Sequence, residues 1–168
     1  MKIQIKKGNH YSDNYSIFQI PIPRLSKNNI KKYNFVIWPN DMLGIKPQDS
    51  WNKLWGYSSK LNPRKNSIRI AWRFDVHSGL TEYTIFREVN KSFTWGEILK
   101  GVKADVKFDL SSKILELRVG NNKTSYYFDD TNKYDLELIE TKCLWECHPY
   151  FGGNKPADTD YLILKNQY

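Results

Sequence analysis

Apolar and polar residues alternate along this chain in short runs, and the clearest run is Ser67–Phe74. There Ile68, Ile70, Trp72 and Phe74 occupy even positions, while Arg69, Ala71 and Arg73 occupy odd ones. A period of two sends the two sets to opposite faces of an extended strand. Similar runs predict strands over Lys2–Lys6, Tyr15–Ile20, Tyr33–Trp38, Thr81–Arg87, Ala104–Leu110, Ile114–Val119, Thr124–Phe128, Tyr134–Glu140, Leu144–Tyr150 and Tyr161–Leu164. Ser78-Gly79 and Gly120-Asn121-Asn122 supply hairpin turns between them. Pro21 and Pro23 are expected to interrupt any ladder, because proline has no N–H to give it. Trp95–Gly101 is the only helix candidate, one short turn.

About ten or eleven short strands separated by turn signals predict an all-β fold, a two-sheet antiparallel β-sandwich of jelly-roll type. No repeat, charge block or low-complexity linker divides the sequence, so a single domain is expected over residues 1–168. Residues 1–30 read as a peripheral N-terminal segment. Residues 39–66 read as a long irregular insertion, anchored by the aromatic stretch Trp51–Tyr57.

Composition reinforces the strand reading. Six Trp, eleven Tyr and eight Phe make up 15% of the chain, and flat side chains pack well on a pleated surface. Twenty-six Lys and Arg against 18 Asp and Glu leave a net charge of +8, which favours encounters with anionic partners. The basic residues are dispersed, the tightest groups being Lys6-Lys7 and Lys31-Lys32, and this argues against nucleic acid as the partner. Cys143 and Cys147, four positions apart in an extended segment, would sit ~13 Å apart, beyond disulfide reach. Two reduced thiols, no signal-peptide-like N-terminus and no run approaching the roughly 20 apolar residues of a membrane span point to a cytoplasmic protein. Release by lysis or residence in a virion would fit equally, and no membrane partner is expected.

Chemistry-bearing patterns are sparse. His10, His77 and His148 are scattered, and Cys147 and His148 are adjacent, so they point to opposite faces of a strand. Neither a metal site nor a cofactor is expected, and no Gly-rich phosphate loop or nucleophile motif occurs. Glu82, Glu116 and Glu137 are single acids rather than the paired carboxylates of a glycosidase.

Three segments carry a resemblance: Asn52–Ser58, Asn66–Arg73 and Pro149–Ala157, the last reading Pro-Tyr-Phe-Gly-Gly-Asn-Lys-Pro-Ala. Together they resemble uncharacterised jelly-roll proteins of gut-type bacteria and their phages, similar to concanavalin-like lectins and polysaccharide lyases. The resemblance spans about residues 33 to 165. In those relatives a Pro-His pair follows the last motif, whereas Asp158-Thr159-Asp160 follows it here. Jelly-roll lyases carry an Arg-x-Glu-x-Arg strand, a Gln-Ile-His strand and a Tyr-x-Lys-x-Gly-x-Tyr strand. Arg69 and Arg73 match the first pair of arginines, but Ala71 replaces the acid. The second motif is missing and the third is incomplete, so no catalytic residue is assigned and the chain is expected not to be an enzyme.

What remains is binding. With the even positions of Ser67–Phe74 in the core, Arg69 and Arg73 lie on the opposite sheet face, where they either line the usual ligand groove of folds of this kind or pair with Glu82 or Asp105 across strands as ordinary surface supports. Tyr83 and Lys107 are expected beside them from flanking strands, Tyr127 and His148 from later ones, and Trp55 at the rim with Trp51. Trp38, Trp72 and Trp95 read as core. Guanidinium groups fork onto carboxylate or sulfate, and aromatic rings cover sugar C–H faces. The expected role is a non-catalytic binding or attachment module for an anionic glycan or a protein surface. The alternative is an intracellular interaction or inhibitor protein, of the kind phages encode, that binds an anionic nucleotide or a host protein. Oligomeric state is not readable from the sequence.

Overall fold

A computed structural model of the chain describes residues 1–11, 20–23, 30–43, 45, 47–48, 50–152 and 156–168. Its elements in order are β1 (Lys2–Ile5), β2 (Ile20–Pro23), β3 (Ile30–Pro39), β4 (Asn52–Ser58), β5 (Asn66–Asp75), β6 (Leu80–Val89), β7 (Ser92–Trp95), β8 (Leu99–Gly101), β9 (Lys103–Asp109), β10 (Ile114–Val119), β11 (Asn122–Tyr127), α1 (Lys133–Glu140), β12 (Cys143–Cys147) and β13 (Tyr161–Gln167). The strands form two antiparallel sheets. One has six strands in the order β1-β13-β3-β9-β10-β11; the other has seven, β2-β12-β4-β5-β6-β7 with β8 also on β6. The expected two-sheet sandwich is the observed one.

Alternation explains the core. The even residues of β5, Ile68, Ile70 and Trp72, are fully buried and meet Phe35, Val106, Phe108, Leu115, Leu117 and Ile163 of the other sheet in one cluster. Aromatic contacts tie the sheets together: Tyr57 lies 4.7 Å from Phe108, and Trp72 5.1 Å from Tyr161, between ring centroids. Gly79 and Gly120 take positive φ at the predicted turns, where a side chain would be strained.

Four expectations change. Tyr134–Glu140 is helical rather than a strand: the Asn132 side chain accepts a hydrogen bond from Tyr134 N and caps α1. Capping satisfies an otherwise orphaned donor, and the i, i+4 spacing then outweighs the apparent alternation. Trp95–Gly101 is not a helical turn but the junction of β7 and β8, which pair in succession along one edge of β6. Ile20–Pro23 is a strand despite its two prolines; it forms an edge, where a missing N–H costs little. Residues 39–66 are not irregular throughout, since they contain β4, which pairs with both β12 and β5. The predicted strand residues 15–19 and residues 153–155 of the Pro149–Ala157 segment lie outside the described residues.

One irregularity in β4 decides which of its side chains reach the outer face. The β4–β5 register shifts between Lys53 and Trp55, which face Ala71 and Ile70. This is a β-bulge, one extra residue in one strand. It lets Trp55 and Tyr57 point inward while Lys53 and Trp51, nearer the strand's start, point outward.

Among the described residues, no helix is long and apolar enough to cross a membrane.

Candidate functional site

The outer face of the seven-stranded sheet can be assembled row by row, because directly paired residues share a face. The first row is Cys147–Gly56–Arg69–Phe86–Trp95. The second is Tyr11–Tyr150–Lys53–Ala71–Thr84, and the third joins Arg73 with Glu82 and Lys100. The face is therefore a lattice of aromatic rings and cations.

The rings touch in sequence. Trp95 stands 4.5 Å from Phe86, 5.4 Å from Phe93 and 5.5 Å from Trp51 between centroids. Tyr11 and Tyr150 form a second pair at 5.0 Å, with His10 stacked on Tyr150 at 5.6 Å. Phe93 is 57% exposed and Trp95 39%, so the platform ends in open aromatic surface. Cations fill the spaces: Arg73 lies 4.6 Å over Trp51, Lys53 4.4 Å over Phe86, and Arg69 5.1 Å from the centroid of that same Phe86 ring.

Arg69 and Arg73 both reach this face, with different fates. Arg69 is buried and ion-paired with Glu88. Its Nε has no hydrogen-bond partner among the described residues. It lies across Gly56, where a Cβ would come within 2.1 Å of Ile68 O and 2.9 Å of Arg69 Cγ. Gly56→Ala should therefore push β4 and β5 apart and lower the unfolding free energy by about 1–3 kcal/mol. Urea denaturation reads this directly, and an unchanged midpoint would contradict such close packing. Arg73 is partly exposed; its Nε donates to Glu82 Oε2 at 2.6 Å, and Lys100 bridges Glu82 and Asp75. Beside it, Gln48, Arg73, Asp75, His77 and Glu82 line a pocket of about 230 Å³.

The other expected site residues lie elsewhere. Tyr83 is on the inward face of β6, opposite Trp72, and has no exposed surface. Trp55 is likewise core rather than rim, donating from Nε1 to Glu146 Oε1 at 2.7 Å. Lys107 sits on the far side of the sandwich, in the six-stranded sheet, paired with Asp109 and Glu116. Tyr127 is 70% exposed on the edge strand of that same sheet. His148 follows Cys147 and, by alternation, turns to the inward side with Glu146; burial lowers its pKa, with Glu146 opposing. Two tryptophans expected in the core, Trp38 and Trp95, are exposed instead. Among the described residues, no group of three or more His, Cys, Asp or Glu side chains is placed to hold a metal.

Lys53 is the residue that sequence reasoning missed. It is partly exposed, and Nζ donates to Trp51 O at 2.8 Å. Burial, the Arg69 charge and, less strongly, Arg64 bring its pKa down to about 8 against an opposing pull from Glu88. Without the bulge, alternation back from Trp55 would have placed Lys53 inside. A charge at an apparently inward position was the available signal.

No protein-family model matches the chain, and no curated protein matches it in sequence. Among solved structures, a family 7 alginate lyase, the A1-II′ Y284F variant in complex with its product, is similar over 99% of this chain and 94% of its own, with a TM-score of 0.51 and 5% identity. A Xenopus laevis galectin covers 88% of this chain and 99% of its own at TM-score 0.37 and 11% identity. A toad ovary galectin bound to thio-digalactose covers 90% and 100% at TM-score 0.36 and 10% identity. At 5% identity the lyase establishes a shared jelly-roll fold. It also overturns the expectation that the chain is not an enzyme: that expectation came from incomplete motifs, and the similar fold is that of a lyase.

Proposed function

We propose that the outer face of the seven-stranded sheet binds an anionic glycan, with sugar rings laid on Trp51, Trp95 and Phe93 and carboxylates directed to Arg73 and Lys53. The observation that carries this reading is the exposed Phe93–Trp95 aromatic edge, with partly exposed Trp51, Lys53 and Arg73 packed beside it. Aromatic faces cover the C–H surfaces of pyranose rings, and a guanidinium offers a fork of donors to a carboxylate. The pocket of about 230 Å³ beside Arg73 extends the face. The net positive charge assists capture of a polyanion from a distance.

Because one structurally similar protein is an alginate lyase, oligouronates are the first ligands to test. Titration calorimetry should show an alginate or polygalacturonate oligomer binding more tightly than a neutral oligosaccharide of equal length. Trp95→Ala should weaken that binding by about 1–2 kcal/mol, roughly tenfold, with little change in Tm because Trp95 is on an edge strand. Equal affinity of the variant and the parent would remove the platform from the reading. Ultraviolet absorbance of an unsaturated uronate, followed in the same samples, separates cleavage from binding.

A further inference from the structure

The geometry points to Lys53 as a carbonyl-reactive amine, a covalent capture site for small aldehydes bearing a carboxylate. This inference concerns the reactivity of one side chain, and it stands or fails independently of whether a glycan occupies the face.

Three features of the surroundings support it. First, the Lys53 Nζ has no carboxylate at ion-pair distance among the described residues; it donates instead to the neutral carbonyl of Trp51 at 2.8 Å. Second, a floor of Phe86 and Trp95, 4.4 and 5.6 Å from Nζ to the ring centroids, lies beneath the nitrogen. Of the two, Trp95 is exposed and gives a planar carbonyl compound a surface to rest on while it reacts. Third, the Arg69 guanidinium lies 5.1 Å from the centroid of the same Phe86 ring, a second positive charge beside the amine that attracts a carboxylate-bearing ligand.

The charges facing Lys53 come from each neighbouring element. Arg69 on β5 and Arg64 on the β4–β5 connection disfavour its protonated form, and Glu88 on β6 favours it, with burial the largest influence. Tyr150, its partner across the ladder, is itself held neutral by a raised pKa. A lysine desolvated beside another cation is a recognised way of obtaining a neutral, nucleophilic amine near neutral pH.

The chemistry is balanced without any added oxidant. The Nζ lone pair attacks the aldehyde carbon, the carbinolamine loses water, and a C=N bond replaces C=O. The ligand carboxylate remains intact, within the positive field of Arg69. In the laboratory, cyanoborohydride delivers hydride to the imine and leaves a stable secondary amine.

The test uses the full chain with glyoxylate and cyanoborohydride at neutral pH, followed by peptide mapping. Relative to an ordinary lysine, a pKa near 8 raises the neutral fraction by roughly 300-fold. Lower basicity offsets part of that gain in nucleophilicity, so the adduct at Lys53 should exceed that at exposed Lys91 or Lys142 by at least about tenfold. Lys53→Arg, which keeps the charge over Phe86, should lose the dominant adduct and retain Tm. Labelling spread over the surface lysines, or a dominant adduct that survives in Lys53→Arg, would overturn the assignment. Titration of the parent protein with an oligouronate, without aldehyde or cyanoborohydride, reads glycan binding separately, since that complex needs no covalent step.

Discussion

Replacing Asp135 by Ala should lower the unfolding free energy by about 3–5 kcal/mol, among the largest effects expected of a single change in this protein. Asp135 Oδ1 accepts from Arg87 Nε at 3.1 Å and Nη2 at 2.9 Å. The same carboxylate takes the Tyr126 hydroxyl at 2.8 Å and the Asp129 N–H at 3.1 Å, both through Oδ2. Arg87 points inward from β6, and its Nη1 also donates to Ser67 O at 2.9 Å. Removing the carboxylate leaves a buried guanidinium without its counter-charge, and it unfastens α1 from the sheet. Urea denaturation measures the loss, and amide exchange should show α1 opening first. Asp135→Asn, which retains shape and two acceptor lone pairs, should lose less. A change under about 1 kcal/mol in Asp135→Ala would contradict the account of a satisfied buried network.

The second large effect is expected at Glu146. Its Oε1 accepts from Trp55 Nε1 at 2.7 Å and from Lys165 Nζ at 2.8 Å. Glu146 belongs to one sheet and Lys165 to the other, so the pair is a charged rivet through the sandwich. Lys165 also lies 4.3 Å over Tyr33. Glu146→Ala should cost about 3 kcal/mol at neutral pH by stranding that ammonium. Adding Lys165→Met should recover part of the loss, since an apolar side chain of similar length needs no counter-charge. A double variant less stable than the single one would contradict this.

The same pair predicts a pH dependence. Burial raises the Glu146 carboxyl, but the Lys165 charge and the two hydrogen bonds outweigh it and hold the pKa below its ordinary value. A group with a depressed folded pKa stabilises the fold above its unfolded pKa and ceases to do so as pH falls through the folded one. The stability gap between the parent and Glu146→Ala should therefore be full at neutral pH and close below about pH 4. A gap that stays constant down to acid unfolding would mean the carboxylate charge is not what matters.

Strand identity was legible wherever alternation was clean. Ser67–Phe74 needed only its own residues, because Ile68, Ile70 and Trp72 could not all be buried in any other way. The faces were less legible than the strands. Tyr83 was expected to flank the arginines, but its direct partner is Trp72, and pairing register is a property of two strands rather than one. Lys107 and Tyr127 read as neighbours of Arg69 because nothing in a one-dimensional pattern says which sheet a strand joins. The short helix was hidden for a different reason: Tyr-Asp-Leu-Glu-Leu alternates like a strand, and only the Asn132 cap distinguishes it. Strand β7, with Phe93 and Trp95 exposed on it, was illegible because the Asn90-Lys91 hairpin, both residues at positive φ, lacks the glycine that normally announces such a turn.

The bulge at Leu54 governs how a surface of this kind can be acquired. Trp55 and Tyr57 inward, with strict alternation, would have put Lys53 and Trp51 among the core side chains. One surplus residue reverses the parity of everything before it. The chemistry displayed on this sheet thus depends on chain length as well as on residue identity. A one-codon insertion or deletion in this strand exchanges its inward and outward inventories at a stroke, a larger jump across the available surfaces than any point substitution there can make.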